Sequence, residues 1–168
     1  VLVETPEGVL RMAETAKADP RIVAISVGSE DLSAAASMAA DDDALYVSNM
    51  HCVMCARAAG ILPMGFIGSI AEFNDMDAFQ EMIERSRRLG FEGSAAIHPN
   101  QVTVLNQVHR PSDDEVEKAK RMIEAYDDAY KQGLGAVQFD GIMIDVPVVE
   151  RARNIVRRFD AIVAREKT

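Results

Sequence analysis

The run IVAISV at residues 22–27 is followed at once by GSEDLS at residues 28–33, joining a short β-branched segment to a glycine and two acidic residues. An uncharged run of this length, bounded by turn-forming residues, reads as a strand buried on both faces of a parallel sheet. Upstream, residues 1–3 (VLV) form a second β-branched run. Between the two, residues 8–18 place Val9, Met12, Ala13 and Ala16 at helical spacing. Downstream, a loop around residues 28–31 leads to a helix over about residues 45–59, stopped by Gly60. A third strand at residues 61–67, a polar loop at 68–75 and an amphipathic helix at 77–89 follow. A fourth strand at residues 94–97 is closed by Pro99. Strand and helix thus alternate about four times, the pattern of a parallel α/β fold.

The pattern changes after residue 110. Ser112 and Glu115 form a capping-box signature that starts a long helix running to Gln132 and ending at Gly133. Residues 136–144 form a short extended segment with a turn at Asp140-Gly141. A last helix at residues 146–164 carries Val148, Val149, Ala152, Ile155, Val156, Phe159, Ile162 and Val163 in one apolar stripe. The expected organisation is a partial barrel of βα units over residues 1–110 and a helical extension over residues 111–168.

Composition narrows the function. With 48% hydrophobic and 27% charged residues, the chain has the balance of a globular domain. Its 168 residues fall short of the roughly 250 of a complete eight-fold α/β barrel. A net charge of -9 argues against a nucleic-acid surface. No stretch approaches the roughly 18 apolar residues of a membrane span, and no signal peptide is visible at the N-terminus. The chain opens without methionine inside an apolar run, as if cut within a strand. Two cysteines without a disulfide framework suit a cytoplasmic protein.

In parallel α/β folds, chemistry gathers where strands end at their C-terminal edge. Glu4 follows the first strand, Asp31 the second, and His98 and Pro99 the fourth. Two carboxylates on adjacent strand ends can share a hard cation such as Mg2+, which takes oxygen ligands and keeps waters for a substrate to displace. Such an ion polarises a carbonyl and stabilises a forming enolate. Spacing alone leaves another reading open, because carboxylates after strands are more often helix caps or solvated charges. Thr5 could cap the first helix, and Asp31 the turn that follows it.

The motifs ETPEGV (residues 4–9), VGSEDLS (27–33) and LGFEGSAAIHPNQV (89–102), the Pro111-Ser112 helix start, and DGIMIDVPVVERAR (140–153) occur in this order. Together they cover nearly the whole chain, which resembles the citrate lyase β-subunit and malyl-CoA lyase superfamily of HpcH/HpaI-type aldolases. The resemblance implies the C-terminal half of a (β/α)8 TIM barrel plus a helical extension with a small hairpin. It also implies a magnesium ion, with manganese as a substitute, held by Glu4 and Asp31. The backbone of Gly28, Ser29 and Glu30 would lie against a bound carboxylate or keto acid, and Ile97, His98 and Pro99 would line an acyl-CoA site. Asp145 would act as acid/base on the acyl carbon, entering from the C-terminal segment of a neighbouring subunit in a trimer or hexamer. Ile142, Met143, Ile144, Val146 and Pro147 around Asp145 suit the apolar pocket that keeps a carboxyl protonated. A local alternative is that Asp145 caps the last helix.

The reaction implied is retro-Claisen cleavage of a 3-hydroxyacyl-CoA of the malyl-CoA or citramalyl-CoA type to an oxo acid and an acyl-CoA. Cleavage of free hydroxy-oxo acids, cleavage followed by thioester hydrolysis, and a non-catalytic subunit are the alternatives. The family's first four strands are missing, and with them an arginine for the substrate carboxylate and most CoA-phosphate contacts. This chain is expected to need the other half of the barrel for turnover. Other features carry less. Cys52 and Cys55 lie inside a helix and read as small apolar residues rather than a metal or redox pair. Asp41, Asp42 and Asp43 read as a solvated approach to a helix. The nine methionines read as core filler, and Arg85, Arg87 and Arg88 as a surface helix face.

Overall fold

The computed structural model describes residues 1–69 and 75–167. The polar loop expected at 68–75 therefore lies largely outside the described residues. Two compact units are present, Val1–His109 and Arg110–Thr168.

The first unit is built on a parallel sheet in the order β1 (Leu2–Val3), β2 (Ala24–Val27), β3 (Leu62–Pro63). Val3 lies opposite Val27, and Ile25 opposite Pro63. A single parallel bridge from Met64 to Gly93 continues the sheet past β3. Two short helices, α1 (Pro6–Leu10) and α2 (Met12–Thr15), connect β1 to β2. Thr5 caps α1 by accepting from the Gly8 N–H at 3.1 Å, with Pro6 preset for the first turn. Helices α3 (Ser29–Ala36) and α4 (Asp42–Ala59) connect β2 to β3. Asp41 caps α4 at the Ala44 N–H, and Gly60 ends it at a φ of 72° that favours glycine. Val3, Met12, Ile25, Val27, Leu32, Leu45 and Cys52 form the core between sheet and helices. Each fully buried large side chain there contributes about 1.5–3 kcal/mol.

Several expectations need correction, and the strand read at residues 61–67 is one, since only Leu62–Pro63 forms β3. IVAISV is not buried on both faces: Ile25 and Val27 are buried, Ala24 and Ser26 are half-buried, and Val23 is 69% exposed. Helices cover one face of the sheet, so burial alternates with the two-residue period of a strand. Residues 28–31 are not a loop. Ser29 begins α3, whose run of Ser and Ala holds eight helical residues before Ser37 turns left-handed at a φ of 55°. Residues 94–97 form no strand; Gly93 alone bridges to Met64, and Ala95, Ala96 and Ile97 are exposed. Pro99 does not close a strand but opens helix α6 (Pro99–His109), where a missing N–H costs nothing. Helix α6 packs on α5 (Met76–Arg88) through Phe79, Ile83, Leu105 and Val108.

In the second unit, α7 (Asp113–Lys131) begins with the Ser112–Glu115 capping box, both of its bonds formed. Strands β4 (Val137–Phe139) and β5 (Ile142–Ile144) pair antiparallel. Asp140 and Gly141 join them at φ values of 47° and 82°, both positive as the two-residue hairpin turn requires. Helix α8 (Val146–Glu166) lies against α7. Tyr126, Ile144 and Val149 form the buried centre, and Arg153 ties α8 to Asp127 of α7 at 2.9 Å. Among the described residues, no helix is long and apolar enough to cross a membrane.

Candidate active site at the strand ends

Glu4 stands directly after β1 and Gly28 directly after β2, and the Gly28 N–H donates to the Val3 carbonyl at 2.9 Å. A Cβ at Gly28 would stand 2.6 Å from Glu4 Cγ and 3.0 Å from Glu4 Oε1. The Glu4 side chain therefore lies across the end of β2, in space that exists because residue 28 has no side chain. The cap of α1 is Thr5, so Glu4 carries no capping duty. Glu4 is half-buried and Asp31, in the first turn of α3, is exposed. No hydrogen bond or ion pair engages either carboxylate among the described residues.

Helix α3 starts at Gly28 with no side-chain cap. The first N–H groups of a helix have no intrahelical acceptor. Those of Ser29 and Glu30 therefore face outward at the positive end of the helix, where an anion is favoured. The Glu30 carboxylate is turned to another partner, since Ser69 Oγ donates to its Oε1 across 39 positions of sequence. The other expected contact, Ile97-His98-Pro99, lies beyond the Met64–Gly93 bridge. Here sequence reasoning missed a residue. Buried Gln101 accepts from the Ile97 N–H at 3.0 Å and the His98 N–H at 3.3 Å, while His98 Nδ1 accepts from the Asn100 N–H at 3.2 Å. Gln101 is the third residue of α6, the position from which Glu or Gln reaches back in a capping box, so the signal was present in HPNQ.

Asp145 belongs to the second unit, at the junction of β5 and α8. It is the N-cap of α8, its Oδ1 accepting from the Val148 N–H at 3.4 Å. The apolar surroundings expected for it are not closed within this chain. Ile144 is buried, but Ile142 is 50%, Met143 74% and Val146 54% exposed.

Among the described residues, no group of three or more His, Cys, Asp or Glu side chains is placed to hold a metal. Two carboxylate ligands suit magnesium nevertheless, because that ion binds through one or two carboxylates and leaves further positions to water and substrate. A cleft of about 670 Å³ in the first unit is lined by Asp41, Asp42, Ser69, Asp75, Arg85 and Arg88. None of Glu4, Gly28, Asp31 or Ile97 lines it.

The cysteines of α4 are structural. Cys52 is fully buried with its Sγ 3.6 Å from the Ile25 carbonyl, and burial pushes its pKa up to about 12. Burial likewise raises that of Cys55, whose Sγ lies 3.5 Å from His51 Nε2. A thiol held neutral is a poor nucleophile. A thiol-reactive reagent at pH 8 should therefore label the native chain slowly and the denatured chain at both cysteines. Rapid stoichiometric labelling of the native chain would contradict this packing.

A sequence model of the HpcH/HpaI aldolase/citrate lyase family matches residues 1–99. The chain belongs to this family. Among its relatives, citrate lyase subunit beta of Escherichia coli is 32% identical over 167 residues, covering 98% of this chain and 55% of that protein. The L-malyl-CoA/beta-methylmalyl-CoA lyase of Cereibacter sphaeroides is 31% identical, covering 98% of this chain and 57% of its own length. The chain thus spans about half the length of the curated relatives it matches. The crystal structure of CitE from Mycobacterium tuberculosis, in complex with magnesium, acetoacetate and coenzyme A, superposes with a TM-score of 0.78 at 29% identity. That likeness covers 95% of this chain and 60% of CitE. The α/β fold is thus that of a citrate lyase-type protein.

Proposed function

We propose that the protein to which this chain belongs is a magnesium-dependent carbon–carbon lyase acting on a 3-hydroxyacyl-CoA of the malyl-CoA or citramalyl-CoA type. In this reading, residues 1–110 belong to the C-terminal half of a (β/α)8 barrel, its fourth strand reduced here to the Gly93 bridge, and residues 111–168 are its C-terminal extension. The carrying observation is the pair of unengaged carboxylates, Glu4 and Asp31, at the ends of the paired strands β1 and β2. The family's lyase members and the magnesium and coenzyme A bound to CitE point the same way.

Glu4 and Asp31 would hold the ion, and the open space over Gly28 admits the Glu4 side chain to that position. Bound there, magnesium supplies a Lewis acid for a substrate oxygen. The N–H groups of Ser29 and Glu30 orient the carboxylate of the oxo-acid moiety, and Ile97, His98 and Pro99 line the acyl-CoA side. Cleavage breaks the bond between the hydroxyl-bearing carbon and the carbon next to the thioester. The hydroxyl gives its proton to water and becomes the carbonyl of the oxo acid, and the electron pair of the broken carbon–carbon bond passes to the thioester as its enolate. Asp145, entering from a neighbouring subunit, delivers a proton to that enolate carbon. The exposed Ile142, Met143 and Val146 beside Asp145 suit a tail that docks on another subunit of a homo-oligomer.

The test is cleavage of malyl-CoA and citramalyl-CoA by this chain extended upstream to complete the barrel. The expected result is turnover that EDTA abolishes and magnesium restores. Silence on both thioesters with cleavage of free hydroxy-oxo acids would replace this reading with that of an aldolase. Silence on all of them would leave a non-catalytic subunit.

A further inference from the structure

Gly28 creates a local difficulty. Every residue favoured as a helix N-cap apart from glycine carries a Cβ, and a Cβ at position 28 would collide with Glu4 Cγ at 2.6 Å. Helix α3 therefore begins without a side-chain cap, although its first turn carries Asp31 and the outward N–H groups of Ser29 and Glu30. A helix start of this kind needs fastening from elsewhere if its residues are to hold fixed positions. The side chain of Glu30 provides it, reaching to the hydroxyl of Ser69 beyond the end of β3.

We infer that Ser69 is a positioning residue for the metal site, acting through Glu30. The hydroxyl donates to Glu30 Oε1 and so links the uncapped start of α3 to the segment after β3. It does two things. It fixes the turn that bears Asp31, and it occupies the one carboxylate of the SED triplet that would otherwise compete with Asp31 for a cation. The metal then meets Glu4 and Asp31 rather than three mobile carboxylates. This inference rests on the lyase reading, because it presumes magnesium at Glu4 and Asp31.

The experiment is calorimetric titration of this chain with magnesium chloride, alongside thermal unfolding without metal. Ser69→Ala should weaken magnesium binding about three- to tenfold, the range one lost hydrogen bond provides. The metal-free melting temperature should stay close to that of the parent chain, a combination that loss of general packing would not give. Ser69→Thr, which keeps the hydroxyl, should restore binding. Glu30→Ala should match Ser69→Ala, and the double variant should be no weaker than either, because both remove the same link. Binding by Ser69→Ala equal to that of the parent chain, while Glu4→Gln loses it, would overturn the inference and leave the lyase reading intact. Glu30→Ala far weaker than Ser69→Ala would make Glu30 itself a ligand and also overturn it. A parent chain that takes up no magnesium would overturn the inference and leave the lyase reading to the cleavage test on the extended chain.

Discussion

Gly28→Ala should lower magnesium affinity by at least about tenfold while leaving the fold stable. The backbone gives no reason for glycine, since its φ of -85° and ψ of 102° suit any residue. Alanine there even restricts the unfolded chain, which stabilises by about 0.4–1 kcal/mol where the conformation is compatible. The conflict is with one side chain: the new Cβ would stand 2.6 Å from Glu4 Cγ and 3.3 Å from its Cδ. Glu4 is half-buried rather than locked in the core, so it escapes by rotating, and the clash becomes a displaced carboxylate more than a lost core contact. Titration calorimetry on Gly28→Ala and Glu4→Gln should show both losing magnesium, with unfolding temperatures near the parent value. If Gly28→Ala binds magnesium as tightly as the parent chain, Glu4 does not hold the ion from the position seen here.

How much of this was legible in the sequence depends on how local each signal is. The Ser112–Glu115 capping box, the Asp140-Gly141 turn and the Gly60 stop are contained within a few residues, and each forms where its motif stands. The apolar character of residues 22–27 marked a strand correctly but misjudged its faces. Whether Ala24 and Ser26 are covered depends on elements far away in the chain. The fourth strand failed for the same reason: small apolar residues at 94–97 propose a strand, but only Gly93 finds a partner in Met64. Pro99 was read as the end of one element when it begins the next, and Gln101 two residues later was the evidence for that.

The site follows the same division. Glu4 and Asp31 were legible as carboxylates after strands, and the parallel pairing of Val3 with Val27 brings those strand ends side by side. What the sequence could not supply was the relation between neighbours. Gly28 was read as part of a loop whose backbone meets the substrate, yet a Cβ there would also crowd the Glu4 side chain. Glu30 was read for its backbone, yet its side chain is committed to Ser69, a residue 39 positions away that no motif flags. Contacts of that span depend on the register of β2 against β3, which is fixed only when the sheet forms.

For Asp145, the local and the catalytic readings can be separated by one substitution. Asp145 caps α8 through its side-chain oxygen, and asparagine caps about as well as aspartate. Asp145→Asn should therefore leave the unfolding temperature of the chain unchanged. Asparagine cannot release a proton, however, so cleavage by the chain extended upstream should fall by about 10²–10⁴-fold, the usual contribution of a positioned acid. Asp145→Ala should lose activity to the same extent and in addition cost about 1 kcal/mol of stability, because the cap goes with the acid. Steady-state cleavage rates and thermal unfolding on both variants give the answer. Full activity in Asp145→Asn would make the residue a cap alone and send the search for the proton donor to another side chain. Lost activity with unchanged stability would assign it the acid role that its place at the head of α8 leaves open.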